Sequence, residues 1–138
     1  MTERILVPVD GSEQARKALE RAVETFPEGT FTALHVQQVP MSNTEEYRVI
    51  AEGNWEERKE KRAVEVFEDV EKIAEAHGVE VETAVDDGEV ARTIIEHADD
   101  HDWVFIGSHG REGIARVLLG SVAENVVRRA TVPVTVIR

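Results

Sequence analysis

The chain has 138 residues and no cysteine, which suits one domain, residues 1–138, able to bury a core without disulfide or thiolate–metal staples. Asp and Glu number 28 against 16 Lys and Arg, and the net charge of −12 disfavours nucleic acid and anionic membranes as partners. No stretch approaches the roughly 18 apolar residues of a membrane span and no apolar leader precedes the first strand, so a soluble cytoplasmic protein is expected.

Apolar residues 5–9 read as a buried strand. Ala15, Ala18, Leu19, Ala22, Val23 and Phe26 then recur at three and four, the stripe of an amphipathic helix. Pro27-Glu28-Gly29 breaks it, and 31–36 is a second strand. Residues 40–54 are too long for a plain connection. They read as a surface insertion, with 45–52 as a candidate short helix and Tyr47, Val49 and Ile50 as candidate cover for a ligand. Ala63, Val64, Val66, Phe67, Val70, Ile73 and Ala74 mark a long helix, with Trp55 at an amphipathic position before them. Gly78 after His77 is a natural left-handed C-cap. Val79, Val81, Ala84 and Val85 give a third strand, residues 90–98 a third helix and 103–106 a fourth strand. Residues 122–127 give a fourth helix and 132–137 a last strand. Strands alternating with helices predict an α/β fold: one open parallel sheet with helices on both faces, Rossmann-like.

Gly107-Ser108-His109-Gly110, followed after nine residues by Gly120-Ser121, sits between the fourth strand and the fourth helix. That junction is where open α/β sheets place ligands. A helix start offers unpaired N–H groups and the positive end of the peptide dipole, both suited to phosphate. Glycines admit positive φ and close ligand approach, and Ser121 can cap the helix or donate to a phosphate oxygen. Glycines and serines in a long capped loop would read the same way, and spacing alone does not separate the two.

The Gly-x2-Gly-x9-Gly-Ser pattern, together with Leu118 to Val122 and Glu124-Asn125-Val126, resembles the nucleotide-binding signature of the universal stress protein family, in its ATP-binding branch. The opening, Arg4-Ile5-Leu6-Val7-Pro8-Val9-Asp10-Gly11-Ser12, and the close, Val132-Pro133-Val134-Thr135-Val136-Ile137, are similar to that family's first and last strands, so only the region around 40–54 carries no family signal. The resemblance implies a five-stranded sheet, adenine nucleotide alpha hydrolase-like, and ATP, carried with magnesium, as ligand. It implies Pro8, Val9 and Asp10 beside the ribose and phosphates, and main-chain groups of Val36 on the adenine. It implies Ile106, Gly107, His109 and Gly110 lining the ribose and phosphates, with Gly120, Ser121 and Val122 holding the terminal phosphates. Two positions depart from the family pattern. Ala123 stands where many ATP-binding relatives carry a hydroxyl, and Val90 stands in place of a proline that often follows the glycine equivalent to Gly88.

The chain has no P-loop pattern and so no lysine placed for β- and γ-phosphates; Arg111 and Arg116 are candidate counter-charges. Asp10 is the carboxylate placed to meet nucleotide-bound magnesium, and an Asp-x-x-Glu box with Glu13 equally suits it to cap the first helix. His97 and His101, four apart, have zinc spacing, but no third ligand lies nearby and no metal site is assigned. His35 reads as a packed or edge histidine. No nucleophile, base and orienting partner occur together, so no catalytic residue is assigned. The expected function is a non-catalytic, ATP-binding stress or regulatory module; a slow ATPase and an interaction module with a vestigial nucleotide site are the rivals. Acidic excess, with twelve arginines and four lysines, points to a salt-loving source. The strand within 131–138 should lie at a sheet edge, where it predicts a homodimer through paired edges, as many relatives of the family do.

Overall fold

A computed structural model describes residues 2–38, 55–109 and 119–138. Its strands are β1 Arg4–Pro8, β2 Thr30–Gln37, β3 Val81–Asp87, β4 Trp103–Gly107 and β5 Val134–Ile137. They form one sheet in the order β3-β2-β1-β4-β5, every pairing parallel. Parallel neighbours need crossovers. Four helices among the described residues supply or flank them: α1 Glu13–Thr25, α2 Trp55–His77, α3 Val90–Ala98 and α4 Ser121–Arg129.

Both faces are buried, and the strand period of two divides the side chains between them. Ile5, Val7, Ala33 and Phe105 join Leu19 and Val23 of α1 and Val66, Val70 and Ile73 of α2 in one core layer. Leu6, Leu34, Val104 and Ile106 turn the other way, onto Ile94 of α3 and Ala123 and Val126 of α4. The predicted α/β class, open parallel sheet and helix placement are those observed. No helix among the described residues is long and apolar enough to cross a membrane.

Boundaries move where local chemistry decides them. α1 starts one residue after Ser12, whose hydroxyl accepts the Ala15 N–H at 3.1 Å, so Ser12 is the cap and Asp10 is not. Asp10 instead accepts the N–H of Ser12 at 2.9 Å, tightening the turn before the helix. α1 stops before Phe26, whose ring packs on Trp103 and Phe105. α2 ends as expected: Gly78 has φ +66, and Val79 N–H reaches back to Ala74 O at 3.0 Å, a Schellman closure. Val79 is spent on that closure, so β3 begins only at Val81. β5 begins at Val134 rather than Val132, with Pro133 offering its carbonyl to Val104 N–H at 2.9 Å but having no N–H to return. The regions 39–54 and 110–118 lie outside the described residues, and with them Tyr47, Val49, Ile50, Gly110, Arg111, Arg116 and Leu118.

β4 ends where α1 begins its first turn, and Gly107 permits the contact. A Cβ on Gly107 would stand 2.7 Å from Gln14 Cβ and 2.9 Å from the Gln14 carbonyl carbon, closer than packed atoms tolerate. Gly107→Ala should therefore lower stability by about 1–3 kcal/mol, the usual range for overpacking. Urea unfolding checks this; an unfolding midpoint equal to the parent's would show that α1 does not press on β4.

Candidate functional site

From β1 the chain runs outward through β2 to β3, then crosses back to lay β4 and β5 on the other side. The order reverses beside β1, which opens a crevice at the carboxyl ends of β1 and β4. One cleft occupies it. Pro8, Val9 and Asp10 form its floor, Val36 and Gln37 one side, Ile106 to His109 the other, and Leu119 to Glu124 the far wall. Of the eleven residues proposed from the sequence, ten converge here; Gly110 lies outside the described residues.

The far wall is the uncapped start of α4. Gly120 is the N-cap and makes no side-chain capping bond, so Ser121 is the first helical residue and not the cap. Gly120 donates its own N–H to Ser108 O at 2.6 Å, and its carbonyl accepts the N–H of Glu124 at 2.9 Å. The N–H groups of Ser121, Val122 and Ala123 are thereby left in the first turn without a helical partner. Neither Gly107 nor Gly120 has positive φ; among the described residues only Gly11, Gly78 and Gly88 do. The two glycines serve approach instead of left-handed backbone: a Cβ on Gly120 would stand 3.0 Å from Ser108 O. Ala123, read as a lost phosphate contact, is 3 % exposed and packs in the lower core layer beside Val126.

The β2 side presents main chain. Leu34 O accepts the N–H of Val9 at 2.8 Å, so Leu34 turns its backbone toward β1. Val36, two residues on, points its N–H and C=O the same way, past the last paired residue of β1, Pro8. A donor and an acceptor therefore face the cleft side by side. Gln37 O is used on the opposite side by Gly88 N–H at 3.0 Å.

Beneath this strand end lies a buried polar pair. His35 is 4 % exposed and packs edge-on against Phe67. Its Nδ1 meets Val9 O at 2.9 Å and its Nε2 meets Gln37 Nε2 at 2.9 Å. Only one assignment satisfies both: Nδ1–H donates to the carbonyl and Nε2 accepts from the amide of Gln37. His35 is thus a packed histidine of an interior strand. Burial holds its pKa below the usual imidazole range, against the hydrogen bond donated to Val9 O that raises it, with the positive charge of Arg62 lowering it further.

The other histidines have other work. The hydroxyl of Ser108, 1 % exposed, lies 2.9 Å from His109 Nδ1 and orients that ring at the cleft edge. His97 Nε2 sits 2.8 Å from Asp86 Oδ2, and His101 Nδ1 sits 2.8 Å from His97 O. The zinc-spaced pair is thus engaged in a side-chain bridge and a helix-end contact, and no group of three or more metal-ligating side chains occurs among the described residues. The hydrogen bond from His97 holds the Asp86 carboxyl below its ordinary value.

Sequence reading missed the wall supplied by α2, where Arg58, Lys59 and Arg62 line the cleft. The available signal was the i, i+4 spacing of Arg58 and Arg62, flanking the face on which Lys59 continues the buried stripe of Ala63, Val66 and Val70. Lys59 is ion-paired with Asp87 of β3.

A histidine held neutral by burial subtracts stability on acidification. The unfolded chain takes up its proton first, so the contribution of His35 is whole at pH 7 and is lost as pH falls from about 7 toward 5, at no more than about 1.4 kcal/mol per pH unit. The stability gap between wild type and His35→Gln should shrink across that window in urea unfolding. Asp86 acts only at lower pH, since a depressed carboxyl loses its contribution as pH falls through its folded value. A gap constant from pH 7 to 5 would show that His35 titrates alike in both states.

Comparison with known proteins agrees with this geometry. The universal stress protein family model matches residues 1–138. The chain is 33% identical over 141 residues to universal stress protein MJ0531 of Methanocaldococcus jannaschii, covering 99% of this chain and 82% of that protein. It superposes on the structure of MJ0577, from the same archaeon, with TM-score 0.77 and 32% identity, covering 99% of this chain and 96% of that one. A universal stress protein family member of Arabidopsis thaliana, solved with AMP bound, shares the fold at TM-score 0.67 and 18% identity, over 98% of this chain and 90% of that one. Matched from its first residue to its last, this chain belongs to the universal stress protein family.

Proposed function

We propose that the cleft binds ATP and that the protein is a non-catalytic, nucleotide-dependent module of the stress response, changing shape or partner with nucleotide state. The observation that carries this reading is the uncapped start of α4 facing the switch-point crevice, opposite the paired donor and acceptor of Val36. Three N–H groups and the helix dipole suit a phosphate. The hydroxyl of Ser121 adds a donor, and Gly120 and Val122 complete that wall. Val36 suits the adenine edge, which offers one donor and one acceptor. Pro8, Val9, Ile106 and Gly107 supply the surface beneath the ribose, with His109 of the signature beside it; Gly110, the other residue the signature implies, lies outside the described residues. Asp10 would meet a magnesium ion carried by the phosphates. The AMP-bound Arabidopsis relative supports an adenine nucleotide as the class of ligand.

Hydrolysis as the main activity is the weaker reading. Asp10 and Glu124 are the carboxylates among the described cleft residues. Asp10 holds the N–H of Ser12, and Glu124 is paired with Arg128 at 3.1 Å. Neither is disposed as a base for water attack, which favours binding over turnover.

ATP at a hundredfold excess over its dissociation constant should stabilise the fold by about 2.7 kcal/mol, several degrees in melting temperature. Gly120→Val should remove that shift, because its side chain would press on Ser108 O and fill the phosphate wall. Absence of any ATP-dependent shift in the wild type would overturn the reading.

We further propose a cytoplasmic homodimer adapted to high salt. Among the described residues β5 pairs with β4 alone, so its outer edge of N–H and C=O groups suits antiparallel pairing with a second copy about a twofold axis. With net charge −12, self-repulsion should be screened in molar KCl, where the Debye length is about 3 Å. Melting temperature should rise from tenth-molar to multimolar KCl, and deletion of 134–138 should give a monomer or an insoluble chain. A wild type that sediments as a monomer at micromolar concentration in high salt would exclude the dimer, and a flat or falling melting curve would exclude the salt adaptation.

A further inference from the structure

Six described lysines and arginines form ion pairs with carboxylates. Arg4 meets Asp102, Arg16 meets Asp69, Lys17 meets Glu13, Lys59 meets Asp87, Arg92 meets Glu96 and Arg128 meets Glu124. Arg58 and Arg62 are not among them, and their place in the fold sets them apart. Both line the cleft, and among the described residues neither forms an ion pair or a side-chain hydrogen bond.

Their placement is held from both ends of the helix segment. They are four apart on α2, one turn, and so project from the same face. Between them, Lys59 is tied to Asp87 of β3, and its carbonyl takes the amide of Gln37 at 3.4 Å. α2 is thereby fastened over the ends of β2 and β3. The uncapped start of α4, which packs on the opposite face of the sheet, lines the same cleft from the β4 side. Two strand spacings, about 10 Å, separate β2 from β4.

On the proposed nucleotide reading, we infer that Arg58 and Arg62 form a second anion-binding wall, which clamps the polyphosphate chain of the nucleotide against the start of α4. The chemistry is complementary. The α4 wall offers neutral N–H donors with a partial dipole charge; the α2 wall offers full charges with planar, paired donors that match phosphate oxygens. The clamp also answers the field problem, since a chain of net charge −12 repels a polyanion at long range unless the cleft reverses the sign locally. It supplies the cations that a missing P-loop lysine leaves unprovided. Affinity should therefore climb with phosphate number, and the climb should belong to these two residues.

The test is calorimetric titration of wild type and the Arg58→Gln/Arg62→Gln double variant with AMP, ADP and ATP at fixed KCl. Both residues are exposed, and melting temperature without nucleotide serves as the folding control. The wild type should bind ATP more tightly than AMP. The double variant should lose tenfold or more in ATP affinity and at most a fewfold in AMP affinity. Its ATP affinity should also depend less steeply on salt. Arg58→Lys/Arg62→Lys should restore part of the ATP affinity and the salt slope. An unchanged ATP-to-AMP ratio in the double variant would overturn the clamp and leave the nucleotide reading standing. A wild type that binds none of the three would overturn both.

Discussion

Everything at the carboxyl end of this sheet depends on two backbone segments approaching closer than side chains allow. Gly107 lets the first turn of α1 rest on the end of β4, and Gly120 lets the start of α4 rest on Ser108. The hydrogen bond from Gly120 N–H to Ser108 O, at 2.6 Å, closes the second contact. Ser108 N–H in turn bonds Ile137 O at 2.7 Å, which ties the same point to the end of β5. A Cβ at either glycine would push a helix away from the strand ends and blur the crevice between them. The glycines of the signature are thus first a packing device, and the open helix start is its consequence.

The second support is polar and buried. His35 bonds Val9 O with one ring nitrogen and Gln37 with the other, while Gln37 also reaches Lys59 O. That chain joins the end of β1, the end of β2 and α2. No buried side-chain polar atom among the described residues lacks a partner, so the network is satisfied and rigidifies its surroundings. Its rigidity bears directly on Val36, the next residue after His35, whose main-chain groups project past β1. The same network fastens α2, and with it the cationic wall, at the mouth of the cleft.

Charge is distributed with the same logic. The surface is acidic, and six described cations are neutralised locally by carboxylates of their own or a neighbouring element. The guanidiniums of Arg58 and Arg62 stand at the cleft instead. A polyanionic ligand and a polyanionic protein are compatible if repulsion is spread over the whole surface while attraction is concentrated in one crevice.

Much of this was legible in the residues themselves. The continuous apolar runs 5–9 and 103–106 and the three-and-four spacing from Ala15 to Val23 are local properties, and they gave the strands, α1 and the two-faced sheet. The Gly-x2-Gly-x9-Gly-Ser spacing located the crevice wall because a strand end, a glycine and a helix start are adjacent in the chain. What the folded chain decided beyond this rests on exact turn geometry and on partners distant in sequence. Ser12 took the cap that Asp10 might equally have taken, because the exact turn sets which oxygen reaches Ala15 N–H. His97 near the end of α3 was taken by Asp86 once β3 packed beside α3, and His101, three residues beyond the helix, turned its ring onto His97 O. Arg58 and Arg62 look like ordinary solvated helix residues until the sheet order brings α2 over the cleft. Periodicity records which face of an element is buried, but not which element lies across from it; that depends on strand order, and the strand order emerges only when the whole chain packs.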